Sequence, residues 1–140
     1  MQFFSTFLNV NLETPPGKRT HNYIVENGMV GKVFHGAALH IAIQYDRQDC
    51  FGLLLAHKSI DVNLAVHNNR YTPLMMCAIF GRVNMMRALL SRKDIDVNVV
   101  TETLPFRNTA IKCACLYKQY SAIELLIKRK DIDLYCGGTV

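Results

Sequence analysis

The chain has 140 residues, of which 50% are hydrophobic and 19% are charged, and its formal net charge is +5 at pH 7. These values are typical of one folded domain or a short repeat array, and they exclude an intrinsically disordered tail. No apolar run approaches the roughly 18 residues needed to cross a bilayer, and the first residues lack the basic segment of a secretion signal. We therefore expect no membrane insertion, while the positive charge leaves nucleic acid, an acidic protein or a membrane surface open as partners.

The five cysteines are odd in number and follow no regular framework, which favours a reducing setting over a disulfide scaffold. We expect an intracellular protein of the cytoplasm or nucleus, in a host cell if it is viral or an effector. Cys113, Cys115 and Cys136 could be part of a metal site, but a full set of spaced ligands is lacking. The stronger interpretation is that Cys77, Cys113 and Cys115 are small core residues, so we predict no metal and no cofactor.

We interpret residues 1–35 as the end of a partial repeat followed by a long loop. Leu8-Asn9-Val10-Asn11 is similar to Ile60-Asp61-Val62-Asn63 later in the chain, and residues 15–19 are typical of a turn and linker. The alternating residues before and after Asn27-Gly28 flank a favoured two-residue turn. This pattern predicts a β-hairpin over residues 23–33.

Residues 36–66 contain the first full helix pair. Residues 37–40 predict a first helix, and Phe51 and Leu54 lie at the spacing of a second one. Ala37 has no side-chain oxygen, so we expect the first helix to begin less firmly, by about 1 kcal/mol, than a helix with a threonine cap.

Residues 67–100 form the clearest unit. Thr72 can cap a helix through its hydroxyl, Pro73 suits the first helical position, and Gly81 supplies a stop. A second helix follows, with apolar residues on one face: Val83, Met86, Leu89 and Leu90. It ends in Arg92-Lys93, which are cations at the favourable, negative end of the helix dipole.

Residues 101–135 repeat this plan with Thr109 as the predicted cap, and residues 136–140 form a short tail. The three units share a motif at their ends. Ile60-Asp61-Val62-Asn63 returns 35 residues later as Ile95-Asp96-Val97-Asn98, and a third copy, Ile132-Asp133-Leu134, follows after a further 37 residues. A period in this range marks a solenoid of stacked units.

The middle unit resembles a known family. Thr72-Pro73-Leu74, the small pair Cys77-Ala78, Gly81, Leu89-Leu90 and Asp96-Val97-Asn98 are similar to the ankyrin repeat, whose signature runs T-P-L-H-x-A. The resemblance covers about residues 36–135 as three repeats. It departs from the family where Arg70 and Arg107 replace the hairpin glycine and where only His40 retains the signature histidine. The resemblance implies an all-α ankyrin-repeat solenoid with projecting β-hairpin loops, acting as a protein–protein interaction module.

Ankyrin-like proteins bind partners along a concave face made by the loop tips and the first helix of each repeat. The resemblance places these candidate contact residues there: Gln44, Tyr45, Ile79, Phe80, Leu116 and Tyr117 on the helices, and Asn68, Asn69, Arg70, Tyr71, Phe106 and Arg107 on the loops. Tyr45, Phe80 and Tyr117 are 35 and 37 residues apart, so stacking should align them as a column. Aromatic residues are enriched at binding hot spots. The alternative is that the column is core between repeats.

A stripe of basic residues predicts an alternative function. Its members occupy equivalent places in the units: Lys58, Arg92, Lys93, Arg129 and Lys130. The stripe would suit a nucleic-acid-associated adaptor. Helix C-termini attract cations for local reasons, and we favour that explanation. The five histidines are scattered, and no phosphate loop or nucleophile motif occurs, so we expect no catalysis.

Asn63 and Asn98 are candidates for modification. Each lies eight residues after a leucine and two after an aspartate, which is similar to the asparagines that an oxygen-sensing hydroxylase modifies in animal ankyrin repeats. The alternative is that both asparagines hold a turn by hydrogen-bonding the backbone.

The C-terminal end of the array lacks a polar outer face. Tyr120, Ile123 and Leu126 would have no repeat beyond them. This edge could pair with another copy, continue into further sequence or be partly covered by residues 135–140. We therefore expect a protein partner of unknown identity, and self-association through the uncapped terminal repeat is one of these open alternatives.

Overall fold

The structure, a computed structural model, describes residues 37–65, 70–101 and 107–136. These residues form six α-helices in three consecutive pairs and contain no strand. The first pair is α1 (Ala38–Gln44) and α2 (Gln48–Leu55), the second is α3 (Pro73–Phe80) and α4 (Val83–Leu90), and the third is α5 (Ala110–Leu116) and α6 (Tyr120–Ile127). The predicted all-α plan of helix pairs is confirmed. The hairpin predicted at residues 23–33 lies outside the described residues.

Side-chain caps begin the first helices of the second and third units. The Thr72 hydroxyl accepts a hydrogen bond from the Met75 N–H, and the Thr109 hydroxyl accepts one from the Lys112 N–H, each at 3.3 Å. Each hydroxyl satisfies a backbone N–H that the first turn of a helix leaves without a partner. Ala37 makes no such bond at the start of α1. The capping pattern predicted from the sequence is confirmed.

The first helix of every unit is followed by a residue in the left-handed conformation. The φ angle is 53° at Asp46, 66° at Gly81 and 55° at Lys118. Gly81 adopts this conformation at little steric cost because it has no Cβ atom. The stop at Gly81 was predicted from the sequence, but its equivalents at Asp46 and Lys118 have no glycine to signal them.

The three helix pairs stack side by side, with α3 in the middle. It contacts α1 on one side and α5 on the other, while α4 contacts α2 and α6. Every residue of α3 from Pro73 to Ile79 is buried. A helix that is apolar all round gains stability only inside a core, and here the neighbouring units supply that core.

Asparagine side chains join each unit to the next. Asn63 donates from Nδ2 to the Asp94 carbonyl at 2.7 Å and accepts at Oδ1 from the Asp96 N–H at 2.8 Å. Asn98 makes the same two bonds, at the same distances, with the Asp131 carbonyl and the Asp133 N–H. The recurrent Ile-Asp-Val-Asn motif therefore acts as a joint between units.

Arginine side chains make a second set of joints. Arg92 donates from Nη1 to the Leu55 carbonyl, and Arg129 donates from Nη1 to the Leu90 carbonyl, both at 2.8 Å. Leu55 and Leu90 are the last residues of α2 and α4. The last carbonyls of a helix accept no hydrogen bond from within that helix. Each guanidinium group donates a hydrogen bond to one of them.

Candidate protein-binding face

Three aromatic residues occupy the same place in consecutive units. Tyr45 directly follows α1, Phe80 is the last residue of α3, and Tyr117 directly follows α5. Tyr45 and Phe80 are half-buried, Phe80 packs against the core, and Tyr117 is exposed. We call these three residues the aromatic column. The column therefore serves both as core between repeats and as exposed surface, because Phe80 packs against the core and Tyr117 meets solvent.

Arg82 ties the end of α1 to the aromatic column. It donates from Nε to the Ile43 carbonyl at 3.1 Å and from Nη2 to the Gln44 carbonyl at 3.0 Å. Its Nη1 lies 3.6 Å from an Asp46 carboxylate oxygen. Its guanidinium carbon lies 5.8 Å from the centre of the Phe80 ring, within the range of a cation–π contact. One planar cation therefore links the first unit to the aromatic residue of the second.

Gln119 has the same role one unit later. It donates from Nε2 to the Ile79 carbonyl at 3.3 Å, so it reaches the end of α3 as Arg82 reaches the end of α1. Sequence reasoning missed both residues. The available signal was a long polar side chain directly after the left-handed residue that follows the first helix, at Arg82 and at Gln119.

Two equivalent positions beside the column differ in exposure. Ile79 is 2% exposed, whereas Leu116 is 69% exposed. The expectation that Ile79 is a surface contact residue is wrong, because α5 packs against α3. Gln44, at the same place in the first unit, is half-buried. Leu116 therefore contributes the large exposed apolar surface next to the column.

The loop residues predicted to rim this face are described in part. Arg70 is exposed and has a φ of 51°, the left-handed conformation that a glycine would adopt there more easily. Tyr71 is half-buried, and burial raises the pKa of its phenol. Arg107 is exposed, and its carbonyl accepts a hydrogen bond from Lys112 Nζ at 3.3 Å. Asn68, Asn69 and Phe106 lie outside the described residues.

His40 holds α1 against the neighbouring loop. Its Nε2 lies 3.0 Å from the Leu64 carbonyl oxygen and 3.1 Å from the Tyr71 carbonyl oxygen. Because carbonyl oxygens only accept, Nε2 carries the proton and Nδ1, which is buried without a partner, carries the lone pair. Burial lowers the pKa of the ring from 6.5 to about 4, against the smaller opposing effect of the two backbone bonds. His40 therefore has a structural role between α1 and the loop that follows the first unit.

The basic stripe separates into paired arginines and exposed lysines. Arg92 makes hydrogen bonds of 2.8 and 2.9 Å with the two carboxylate oxygens of Asp94, and Arg129 makes bonds of 2.8 and 2.7 Å with those of Asp131. The bonds from arginine lower the pKa of both carboxyl groups. The lysines of the stripe are exposed: Lys58, Lys93 and Lys130. The arginines are thus engaged in joints between units, which favours a structural role over a nucleic-acid surface.

All five cysteines are free thiols. Cys77 and Cys113 are buried, and desolvation raises the pKa of both thiols, that of Cys113 to about 12. Cys115 was predicted to be a core residue. That prediction is wrong, because Cys115 is exposed and lines an open cavity beside α5.

The described residues contain neither a candidate metal site nor a helix that could span a membrane. Within residues 37–65, 70–101 and 107–136, no three or more His, Cys, Asp and Glu side chains are grouped so that they could hold a metal ion. In the same parts of the chain, every helix is too short or too polar to cross a membrane.

The stacked helix pairs and the joints between them define a helical solenoid built from repeats. A family model described as "Ankyrin repeats (3 copies)" matches residues 18–101 and, in a second, overlapping match, residues 65–136. The chain belongs to the ankyrin-repeat family. Ankyrin repeats are generally protein–protein interaction modules, and the family is typically non-enzymatic. No curated protein and no solved structure matches the chain.

Proposed function

We propose that the protein is a non-enzymatic adaptor, scaffold or inhibitor that binds a protein partner through the aromatic column and its surroundings. The observation that carries the proposal is the aromatic residue at the end of the first helix in all three units. Tyrosine and phenylalanine present large, rigid contact areas, and hot spots of protein interfaces are rich in such groups. The proposed contact residues are Gln44, Tyr45, Arg70, Tyr71, Phe80, Arg107, Leu116 and Tyr117, together with Asn68, Asn69 and Phe106 from the sequence.

The chemistry of this face favours a partner with an apolar centre and acidic flanks. Leu116 and Tyr117 are adjacent and exposed, so they offer an apolar contact at the third unit. Arg70 and Arg107 are exposed cations on the loops that precede α3 and α5. Carboxylates placed around an apolar segment would meet these cations at the rim, where charge steers association.

Affinity capture with point variants tests this proposal. We expect Tyr117→Ala to reduce the recovery of a bound protein by about tenfold or more, because truncating a hot-spot aromatic removes at least one decade of affinity. Tyr135→Ala is the matched control, since Tyr135 is also exposed but lies outside the column. Recovery is measured by quantitative mass spectrometry, and the stability of each variant by thermal unfolding.

Two results would contradict the proposal. One is equal recovery with wild type and with Tyr117→Ala. The other is a loss of binding by Phe80→Ala or Tyr117→Ala that only follows a loss of folded protein, which would make the aromatic column purely a core element.

Cellular setting and modification are further parts of the proposal. We infer a reducing intracellular compartment, because all five thiols are free and Cys50 and Cys115 are exposed. Hydroxylation of Asn63 or Asn98 remains a prediction. Their bonds across the joints support the alternative of a structural role. A mass increase of one oxygen at either residue would establish the modification.

A further inference from the structure

The third unit exposes apolar residues whose equivalents in the second unit are buried. Leu134 is 53% exposed, whereas Val97, 37 residues earlier, is 2% exposed. Cys115 is exposed and its equivalent Ala78 is fully buried. Cys115 and Leu134 line an open cavity of about 490 Å³ together with Leu116. We call Cys115, Leu116 and Leu134 the C-terminal face.

The first unit exposes a different set of positions. Leu53 is 77% exposed, whereas its equivalents Ala88 and Leu125 are half-buried and pack against the core. Ile41 and Cys50 differ in the same way from Met76 and Met85, their buried equivalents in the second unit. We call Ile41, Cys50 and Leu53 the N-terminal face.

The two faces are the two halves of one joint. Between consecutive units, the positions of the C-terminal face on one unit are covered by the next, because α1 contacts α3 and α3 contacts α5. The positions of the N-terminal face are covered by the preceding unit, through these contacts and those between α2, α4 and α6. Within the described residues, the third unit therefore shows one half of this joint and the first unit shows the other half.

We propose that copies of this chain associate head to tail, with the C-terminal face of one copy against the N-terminal face of the next. In this arrangement, α1 of the second copy lies on α5 of the first as α3 lies on α1 within one copy. Arg47 is exposed and precedes Arg82 by 35 residues, so it takes the place from which Arg82 donates to the Ile43 carbonyl. The Cys115 carbonyl of the first copy is the equivalent acceptor.

The joint between copies lacks two side chains that link the units within one copy. Tyr135 stands where Asn63 and Asn98 carry the linking amide. His57 stands where Arg92 reaches back to the preceding helix. Association is therefore weaker than the internal stacking and reversible. Since the two faces differ, the contact is heterologous, and it extends into open chains instead of closing at two copies.

Two complementary variants test the head-to-tail contact. Leu116→Glu places a charge on the C-terminal face only, and Leu53→Glu places one on the N-terminal face only. Both side chains are largely exposed, so the fold tolerates the change. Arg87→Glu is the matched control, because residue 87 and its equivalents Gly52 and Glu124 are exposed in all three units. Mass is followed by sedimentation and light scattering over a concentration series, under reducing conditions.

We expect the average mass of the wild type and of Arg87→Glu to rise with concentration. Each variant alone should associate only at a protein concentration about tenfold or more above that of the wild type. The reason is that the contact would bury the charge of the introduced glutamate. An equimolar mixture of the two variants should form a pair that grows no further. In that pair, the intact N-terminal face of Leu116→Glu meets the intact C-terminal face of Leu53→Glu.

Three results would overturn the proposal. A wild type that stays monomeric up to millimolar concentration excludes self-association. Association of Leu53→Glu at wild-type strength, with loss only in Leu116→Glu, indicates a symmetric contact between two C-terminal faces. The third result is that Leu116→Glu and Leu53→Glu, both folded, form no pair when they are mixed. If circular dichroism shows a variant to be unfolded, Leu134→Lys and Ile41→Lys replace Leu116→Glu and Leu53→Glu.

Discussion

Asn98 Oδ1 accepts a hydrogen bond from the Asp133 N–H at 2.8 Å, across the boundary between the second and third units. The same amide donates from Nδ2 to the Asp131 carbonyl at 2.7 Å. A carboxamide suits this place because it carries a donor and an acceptor on one short side chain. The stacking of units therefore depends on a polar joint as well as on apolar burial.

We expect Asn98→Ala to lower the free energy of unfolding by about 2 kcal/mol, because two hydrogen bonds at a half-buried position are lost. Asn98→Asp should cost at least as much, since it sets a carboxylate against the Asp131 carbonyl. Asn84→Ala, at an exposed position of α4, is the control and should change stability by less than about 0.5 kcal/mol. Urea unfolding followed by circular dichroism measures all three. Equal effects at positions 84 and 98 would show that the joint carries no stability.

Substitutions at the left-handed residues Gly81 and Lys118 should change stability in opposite directions. We expect Gly81→Ala to destabilise the protein by about 1–2 kcal/mol, because its φ is 66° and an added Cβ would lie 2.6 Å from Gln119 Oε1. We expect Lys118→Gly to stabilise it by about 0.5–1 kcal/mol, because Lys118 has a φ of 55° without a glycine's freedom. Thermal unfolding distinguishes the two. Destabilisation by Lys118→Gly would mean that the greater entropy of the unfolded chain outweighs the relief of strain.

The free energy of unfolding should fall in mild acid, because His40 becomes protonated more readily in the unfolded chain. Its pKa in the folded protein is about 4, below the value of 6.5 in the unfolded chain, so the unfolded chain binds the proton more tightly. The contribution of His40 is complete above pH 6.5 and is lost as the pH falls from 6.5 toward 4, by up to about 3 kcal/mol.

His40→Met isolates this effect, because methionine stands at the equivalent position 75 of the second unit. The variant should be less stable than wild type above pH 6.5, since the Leu64 and Tyr71 carbonyls lose a donor. The difference should shrink as the pH falls toward 4. Urea unfolding at several pH values measures it. A constant difference would contradict the neutral, buried ring.

The thiols should react with a disulfide reagent in three classes. Cys50 and Cys115 are exposed and should react first, and the half-buried Cys136 should follow. Cys77 and Cys113 are buried with raised pKa values, so they should react only after the protein unfolds. Cys50→Ser and Cys115→Ser should each remove one fast equivalent. Rapid reaction of all five thiols in the native protein would contradict the burial of α3 and α5.

Local features were predictable because neighbouring residues determine them. The caps at Thr72 and Thr109, the stop at Gly81 and the uncapped start at Ala37 each involve atoms within a few residues along the chain. The recurrence of the Ile-Asp-Val-Asn motif determined the register of the units in the same way. The carbonyl acceptors of Arg92 and Arg82 could not be predicted like this, because Leu55 and Ile43 lie 37 and 39 residues away.

The ends of the array show where local information stops. Ile79 and Leu116 occupy the same register position and are both apolar, yet one is buried and the other exposed. Leu126 was expected at the open edge with Tyr120 and Ile123, but it is fully buried, whereas Tyr120 is exposed and Ile123 half-buried. The sequence alone determined the helices, their caps and the period of the repeat. The tertiary structure alone decided which equivalent residues meet solvent, because burial depends on whether a neighbouring unit lies on that side of the helix.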